Sequence, residues 1–188
     1  MKIKVLLLIF ICLFSTDAIA QNYEKSFEVG RTIGLGDINN SYLDILMING
    51  FRLSKSFYLG MGTGFSYGYI SIKSSEYKII NSNSKLKLSI PLFVRLKLDL
   101  HKKNKLTPFI AGNLGYAYYP KEEYGCQNDI MIEPDYGIEY KMHDYLTLYG
   151  ILGLHMSHLY YFRSLNDWDF REVSTIAYGI TIKGGIKF

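Results

Sequence analysis

The stretch Lys85–Leu100 reads KLKLSIPLFVRLKLDL and decides the fold. Its even positions are all aliphatic, whereas most of its odd positions carry lysine, arginine, serine or aspartate. This period of two predicts one extended strand with an apolar face and a charged face, because a helix would mix the leucines with the cations around its axis. Strands in soluble sheets run about 5–6 residues, and a tilted strand that crosses a bilayer needs about 9–11. The length therefore predicts a membrane-spanning strand.

Weaker alternation in seven further segments predicts eight strands in all. They cover residues 27–35, 42–53, 57–70, 85–100, 107–119, 130–141, 145–158 and 173–188. Long polar connections at 36–41, 71–84, 119–129 and 159–172 alternate with short turns at 54–56, 101–106 and 142–144. An even strand number, an apolar exterior and alternating loop lengths are typical of bacterial outer-membrane barrels, whose long loops face the cell surface. We expect an all-β, eight-stranded antiparallel up-and-down transmembrane β-barrel.

The amino terminus has the pattern of an export signal. Lys2 and Lys4 precede an apolar run over residues 5–14, and Ala18-Ile19-Ala20 forms a small-x-small cleavage site before Gln21. The run is too short to span a bilayer as a helix, which takes about 20 residues. We expect a cleaved signal peptide over residues 1–20, a barrel domain over 21–188 and a location in the outer membrane.

Some residues interrupt the alternation. Arg31 falls on the apolar face, so we expect a bulge there or a shift of the strand toward an interface. Pro91, Pro108 and Pro134 lack a ladder donor, which predicts bulges or strand starts at these positions. Outward aromatic residues predict two interfacial girdles, one with Tyr42, Tyr67, Tyr69, Tyr116 and Tyr118, the other with Phe57, Tyr140 and Phe188.

Several segments resemble the small eight-stranded outer-membrane β-barrel (porin-like) family. They are the Ala18-Ile19-Ala20 signal, SIPLFVRL over Ser89–Leu96, FYLGMG over Phe57–Gly62 and the aromatic carboxy terminus of Ile180–Phe188. The resemblance covers nearly all of the mature chain. It implies outer-membrane lipids and the barrel-insertion machinery as partners, with Phe188 as the assembly signal that this machinery recognises.

Charged residues on the inward faces are candidates for an ionic network in the lumen. They are Lys85, Lys87, Arg95, Lys97, Glu133, Asp135, Glu139 and Lys183. An eight-stranded barrel is just wide enough for its own side chains to fill it, and buried ions need partners of opposite sign. We expect these charges to pair with one another. The alternative is a narrow porin.

The stretch His155-Met156-Ser157-His158 is a candidate for catalysis. His155 and Ser157 share one face of a strand, and a nearby acid could orient the imidazole. The pair resembles the His-x-Ser motif of outer-membrane lipid A deacylases, although His158 stands where that family places Asn. The nearest candidate acid is Glu172. Strand parity places His155 and Ser157 toward the lumen, so the competing interpretation is a pair of polar residues at the strand rim.

Other features narrow the function. A net charge of +4 is too small to indicate nucleic acid binding. Cys126 is the only cysteine outside the signal segment and has no thiol partner, and we expect no metal and no cofactor. Trp168 and the aromatic residues 160–162 could form a recognition surface on a loop, and they are equally suited to the aromatic girdle. We expect a monomer with a structural, adhesive or surface-interaction role through its extracellular loops, and an unknown surface partner. A soluble ligand-binding barrel would be apolar inside, which the sequence disfavours.

Overall fold

A closed barrel of eight antiparallel strands is present in the computed structural model, which confirms the predicted fold class. The structure describes residues 23–36, 38–72, 86–100, 105–120, 127–143, 145–166 and 169–188. Within these ranges it describes the backbone but not the side chains of residues 38–40, 70–72, 86–87, 127–129, 159–166 and 169–175. The strands are β1 (Tyr23–Leu35), β2 (Ile38–Arg52), β3 (Phe57–Ile72), β4 (Leu86–Asp99), β5 (Leu106–Tyr118), β6 (Gln127–His143), β7 (Leu146–Asn166) and β8 (Asp169–Lys187). Among these residues no helix is long and apolar enough to cross a membrane.

Each strand pairs with the next one, and β8 closes the barrel against β1. The closing ladder runs from Ser26↔Lys187 to Leu35↔Tyr178, and backbone hydrogen bonds of 3.0 Å join Lys25 and Phe188 in both directions. We call the end with connections 53–56, 100–105 and 144–145 the turn end. The opposite end, with connections 36–37, 73–85, 119–126 and 167–168, is the loop end.

The outward and inward faces differ in polarity, as the alternation predicts. Large apolar side chains face outward on all eight strands and are 36–59% exposed. The interior instead buries charged and polar side chains together with a small apolar cluster of Leu46, Ile48, Phe93 and Met131. Because the apolar side chains lie outside, this barrel has the reverse polarity of a soluble ligand-binding barrel.

Inward glycines make room for inward aromatic rings. A β-carbon at Gly62 would overlap the Phe93 ring, and a β-carbon at Gly137 would overlap the Phe109 ring. A β-carbon at Gly185 would likewise overlap the Tyr149 ring. Aromatic rings therefore fill the space in the lumen that glycines on other strands leave open.

Two predicted loops prove to be mostly strand. Residues 38–41 belong to β2, and residues 159–166 and 169–172 form part of a β7–β8 hairpin that pairs as far as Asn166↔Asp169. Polar composition suggested loops, but backbone hydrogen bonds within a hairpin require no apolar alternation. At the β1–β2 connection Gly36 has a φ of 81°, a value that glycine adopts without a steric penalty.

The face of β2 also differs from the prediction for Tyr42. Leu46 and Ile48 are buried inside the barrel with Asp44, so the even positions of β2 point inward. Tyr42 shares that parity, and its ring makes an edge contact with the ring of His155 at 5.2 Å between centroids. Tyr42 therefore lies in the lumen and not in the outer girdle.

The predicted bulges at Arg31 and at two prolines are absent. Arg31 pairs with Leu43 and with Ile182 in ladders that show no register shift. The registers around Pro91 and Pro134 are also unshifted, although neither proline is paired with its β3 or β7 neighbour. The missing donor is thus accommodated by omitting ladder pairs on one side of the strand. Pro108 lies near the start of β5.

Candidate functional site: the charged lumen

A closed ring of six alternating charges crosses the lumen near the turn end. Arg52 on β2 lies 2.6 Å from Glu24 and 2.7 Å from Asp99, in both cases nitrogen to oxygen. Lys97 contacts Glu139 and lies 3.4 Å from Asp99. Lys187 on β8 completes the circle at 2.9 Å from Glu139 and 3.6 Å from Glu24. We call Glu24, Arg52, Asp99, Lys97, Glu139 and Lys187 the charge ring.

A second group, deeper in the barrel, is organised around Arg95. Its guanidinium makes a two-pronged pair with Glu28, in which Nη2 donates to Oε2 at 3.1 Å. Arg95 Nε donates to Asn113 Oδ1 at 2.7 Å, and Tyr149 donates its hydroxyl to Glu28 at 2.9 Å. The side chains of Arg95, Glu28, Asn113 and Tyr149 thus each have a hydrogen-bond partner, which reduces the cost of removing the charges from water.

Glu133 joins this group to the loop end. One carboxylate oxygen accepts hydrogen bonds from Lys183 and, at 3.0 Å, from Asn113. The other oxygen lies 3.3 Å from His155 Nδ1. Asn113 also donates to Asp135 at 2.8 Å. We call Glu28, Arg95, Asn113, Glu133, Asp135, Lys183 and His155 the central cluster.

Two small cavities lie on either side of this cluster. The one nearer the loop end has a volume of about 40 Å³ and is lined by Asp44, Ser66, Glu133, His155 and Lys183, among others. The one at the turn end has a volume of about 20 Å³, between Arg95 and the charge ring. At about 10–15 Å³ for each water, they hold only a few waters each.

The structure brings together six of the charges that the sequence placed in the lumen. Arg95, Glu133, Asp135 and Lys183 belong to the central cluster, and Lys97 and Glu139 belong to the charge ring. Lys85 and the side chain of Lys87 lie outside the described residues.

Sequence reasoning missed five charged members of these groups, which are Glu24, Glu28, Arg52, Asp99 and Lys187. Asn113, the neutral bridge between Arg95 and two acids, was missed as well. Inward parity was the available signal, since Glu28 alternates with Phe27 and Val29 along β1.

The candidate catalytic residues lie inside the barrel. His155 is 5% exposed and Ser157 is 2% exposed, and both line the cavity nearer the loop end. The acid beside His155 is Glu133 on β6, whereas the side chain of Glu172 lies outside the described residues. Because this contact joins two neighbouring strands, the sequence of β7 alone could not identify Glu133 as the acid beside His155.

Metal binding finds no support in the described part of the chain. There, no group of three histidine, cysteine, aspartate or glutamate side chains is placed to hold a metal ion. Cys126 and Trp168 lie outside the described residues, as do the side chains of 160–162.

The fold is that of the small eight-stranded outer-membrane β-barrels. Neisserial surface protein A matches with a TM-score of 0.57 and 9% sequence identity, over 88% of this chain and 95% of its own. The outer-membrane protein AlkL, solved in lipid bilayers, matches with a TM-score of 0.58 and 11% identity, over 89% of both chains. No protein-family model and no curated protein matches the sequence. At these identities the likeness concerns the fold alone.

Proposed function

We propose that the protein is a monomeric outer-membrane barrel with a closed lumen, whose role is structural or adhesive and is exerted at its loop end. The observation that carries this proposal is the combination of an apolar outer wall with an ion-paired interior. Such a wall is stable in hydrocarbon, because a closed barrel leaves no unpaired backbone edge. The loop end would face the cell surface, after export and removal of residues 1–20.

The lumen supports a closed barrel over a narrow porin. The charge ring spans the interior from β1, β2, β4, β6 and β8, and the central cluster lies directly behind it. An ion that crossed would have to displace buried pairs, and breaking a buried pair costs about 3–5 kcal/mol. The two cavities are too small to form a continuous water path on their own.

The geometry argues against a lipid hydrolase at His155 and Ser157. Both side chains point into a cavity of about 40 Å³, whereas a lipid substrate would approach from the outer wall. Glu133, the acid beside His155, is also the partner of Lys183 and Asn113. These contacts are those of a structural network more than of a site that must admit an acyl chain.

The loop end carries the segments suited to contact another surface. On β7 the last pair with β6 is Gln127↔Tyr160, and on β8 the last pair with β1 is Leu35↔Tyr178. Beyond these pairs the β7–β8 hairpin continues to Asn166↔Asp169 with no other paired strand among the described residues. A hairpin that leaves the wall offers side chains to a partner without disturbing the barrel.

The carboxy terminus supports a role of Phe188 in assembly. Its backbone pairs with Lys25 on β1 at the closing seam, and its side chain is 59% exposed on the outer wall. A recognition element must be accessible before the seam closes, and an outward terminal ring meets that requirement.

Gel mobility and planar-bilayer recordings test the proposal together. Outer-membrane fractions should give a band that runs faster unheated and shifts on boiling, and the purified protein should produce no stable conductance steps. A soluble periplasmic band without a shift would contradict the membrane barrel. Reproducible single-channel steps would instead support the narrow porin. An altered lipid A mass spectrum that requires Ser157 would revive the hydrolase.

A further inference from the structure

An arginine stands on the apolar outer wall. Arg31 on β1 points outward and is exposed, and its ladder partners are Leu43 on β2 and Ile182 on β8. Both ladders are regular at this position, so the backbone does not turn the side chain inward. Its orientation is fixed by the same alternation that points Val29 and Ile33 outward.

Within the described part of the chain, Arg31 has no hydrogen-bond or ion-pair partner. Its outward neighbours on β1, β2 and β8 are apolar, and no hydrogen bond or ion pair involves it among the described residues. In the described part of the outer wall it is the one permanent charge away from the turn end. An arginine on the lipid face costs about 2–4 kcal/mol at the bilayer midplane and about 0–1 kcal/mol near an interface.

The depth of Arg31 places the loop-end interface within reach. Leu35 ends β1 four residues further on and pairs with the outward Tyr178, a residue type that is enriched at membrane interfaces. The distance from Arg31 to Leu35 is about 13 Å along the strand, at roughly 3.3 Å per residue. With a strand tilt of about 45°, that distance is about 9 Å along the membrane normal. A long arginine side chain extends toward the head groups while its methylenes remain in hydrocarbon.

We propose that Arg31 binds a phosphate of lipid A in the leaflet at the loop end. A planar guanidinium matches a phosphate with two parallel hydrogen bonds, and a phosphomonoester carries more negative charge than a phosphodiester. The apolar neighbours favour a lipid, because a protein partner would have to bring its carboxylate into the hydrocarbon layer. The site rests on the proposed outer-membrane location.

Lipid retention by matched variants tests this site. Wild type, Arg31→Leu, Arg31→Lys and the control Lys105→Ala, which removes an exposed cation at the turn end, would be placed in phosphatidylcholine nanodiscs. The discs would contain trace bis-phosphorylated lipid A, dephosphorylated lipid A or phosphatidylglycerol. Native mass spectrometry would then count the lipids that remain bound to each variant.

Wild type and Lys105→Ala should retain phosphorylated lipid A about tenfold more than Arg31→Leu, as expected for loss of a charge-assisted hydrogen bond, with Arg31→Lys between them. All four proteins should retain dephosphorylated lipid A to the same extent. Equal retention by wild type and Arg31→Leu would overturn the site. If wild type retained phosphatidylglycerol as strongly as phosphorylated lipid A, the choice of lipid A would be overturned. A dimer that forms only when Arg31 is present would show that the partner is a second copy of the chain and not a lipid.

The boiling shift separates this inference from the proposed function. If every variant shows the shift and retention is unchanged, the phosphate site is wrong and the barrel stands. If wild type itself shows no shift in the membrane fraction, the proposed location fails and the lipid site fails with it.

Discussion

At the residue scale, the interior is filled by matching large side chains on one strand with glycines on another. Phe93 on β4 lies over Gly62 on β3, and Phe109 on β5 lies over Gly137 on β6. The sequence predicted eight strands and therefore a lumen that its own side chains fill. It could not indicate which ring fills which gap, because that depends on the register between strands.

Substitution of Gly62 should therefore be costly. Gly62→Ala forces the new β-carbon into the Phe93 ring and should lower the free energy of unfolding by about 1–3 kcal/mol. The outward Gly112 has no atom within 4 Å of a built β-carbon, so Gly112→Ala is the matched control and should change little. Urea titration followed by the unboiled gel band measures both.

A second-site change checks the cause. Phe93→Leu replaces the ring with a smaller side chain. In the Gly62→Ala background it should therefore recover part of the lost free energy of unfolding, giving a favourable coupling energy in the double-mutant cycle. Additive effects of the two substitutions would show that the clash is not the source of the destabilisation.

The contact between His155 and Glu133 could not be predicted from the sequence of either strand alone. The two residues lie on neighbouring strands, and the β6–β7 ladder pairs Ile132 with Met156. Parity alone placed both side chains in the lumen. The contact depends on the register, which a single sequence does not determine.

At the element scale, β7 and β8 are the longest strands because their hairpin continues past the wall. The sequence predicted the ends of both strands where the apolar alternation stops, near His158 and Val173. Neither strand ends there: β7 pairs with β6 as far as Tyr160, β8 pairs with β1 only as far as Tyr178, and the two strands continue to pair with each other beyond these residues. Hydrogen bonding within a hairpin does not require an apolar face, so composition could not locate its tip.

Trimming this hairpin should leave the barrel intact. Replacement of residues 162–172 by Asn-Gly places a two-residue turn directly after the pair Tyr161↔Val173. Because the removed segment pairs only with itself among the described residues, the boiling shift and the urea midpoint should be retained.

The control places a disruption inside the wall. Leu152→Pro removes a ladder donor from a position of β7 that pairs on both sides, with Tyr136 on β6 and Ile182 on β8, and should abolish the boiling shift. If the trimmed hairpin also failed to give a shifted band, the hairpin would be required for barrel formation, contrary to the pairing pattern.

At the scale of the whole molecule, the charge ring connects strands that are not neighbours. Lys97 on β4 contacts Glu139 on β6, and Glu139 contacts Lys187 on β8. Every member has two partners of opposite sign, so removal of one acid leaves two cations facing each other. The ring therefore stabilises the closed interior as a unit.

A double-mutant cycle at the ring should be strongly non-additive. Glu139→Ala leaves Lys97 and Lys187 without a shared acid, whereas Lys97→Ala with Glu139→Ala leaves a neutral chain of alternating charges. The double variant should be less destabilised than the sum of the single variants by about 1–3 kcal/mol. Additive losses in urea titrations of the folded band would mean that the ring members act independently.

The sequence by itself determined the architecture of this protein. The period of two in residues 85–100 established an apolar and a charged face, and the same pattern repeated along the chain gave the strand number, the direction of most side chains and the polarity of the barrel. Alternation is a local property of an extended chain, so these features could be derived without knowing which strand lies beside which.

Only the tertiary structure decided the partners. The charge ring, the pairing of Glu133 with His155 and the contact of Tyr42 with His155 all depend on register and closure between strands. Those are set by the packing of all eight strands around one narrow lumen, where each side chain occupies space that another must leave. The physical reason is that direction follows from a residue's own strand, whereas contact follows from the strands around it.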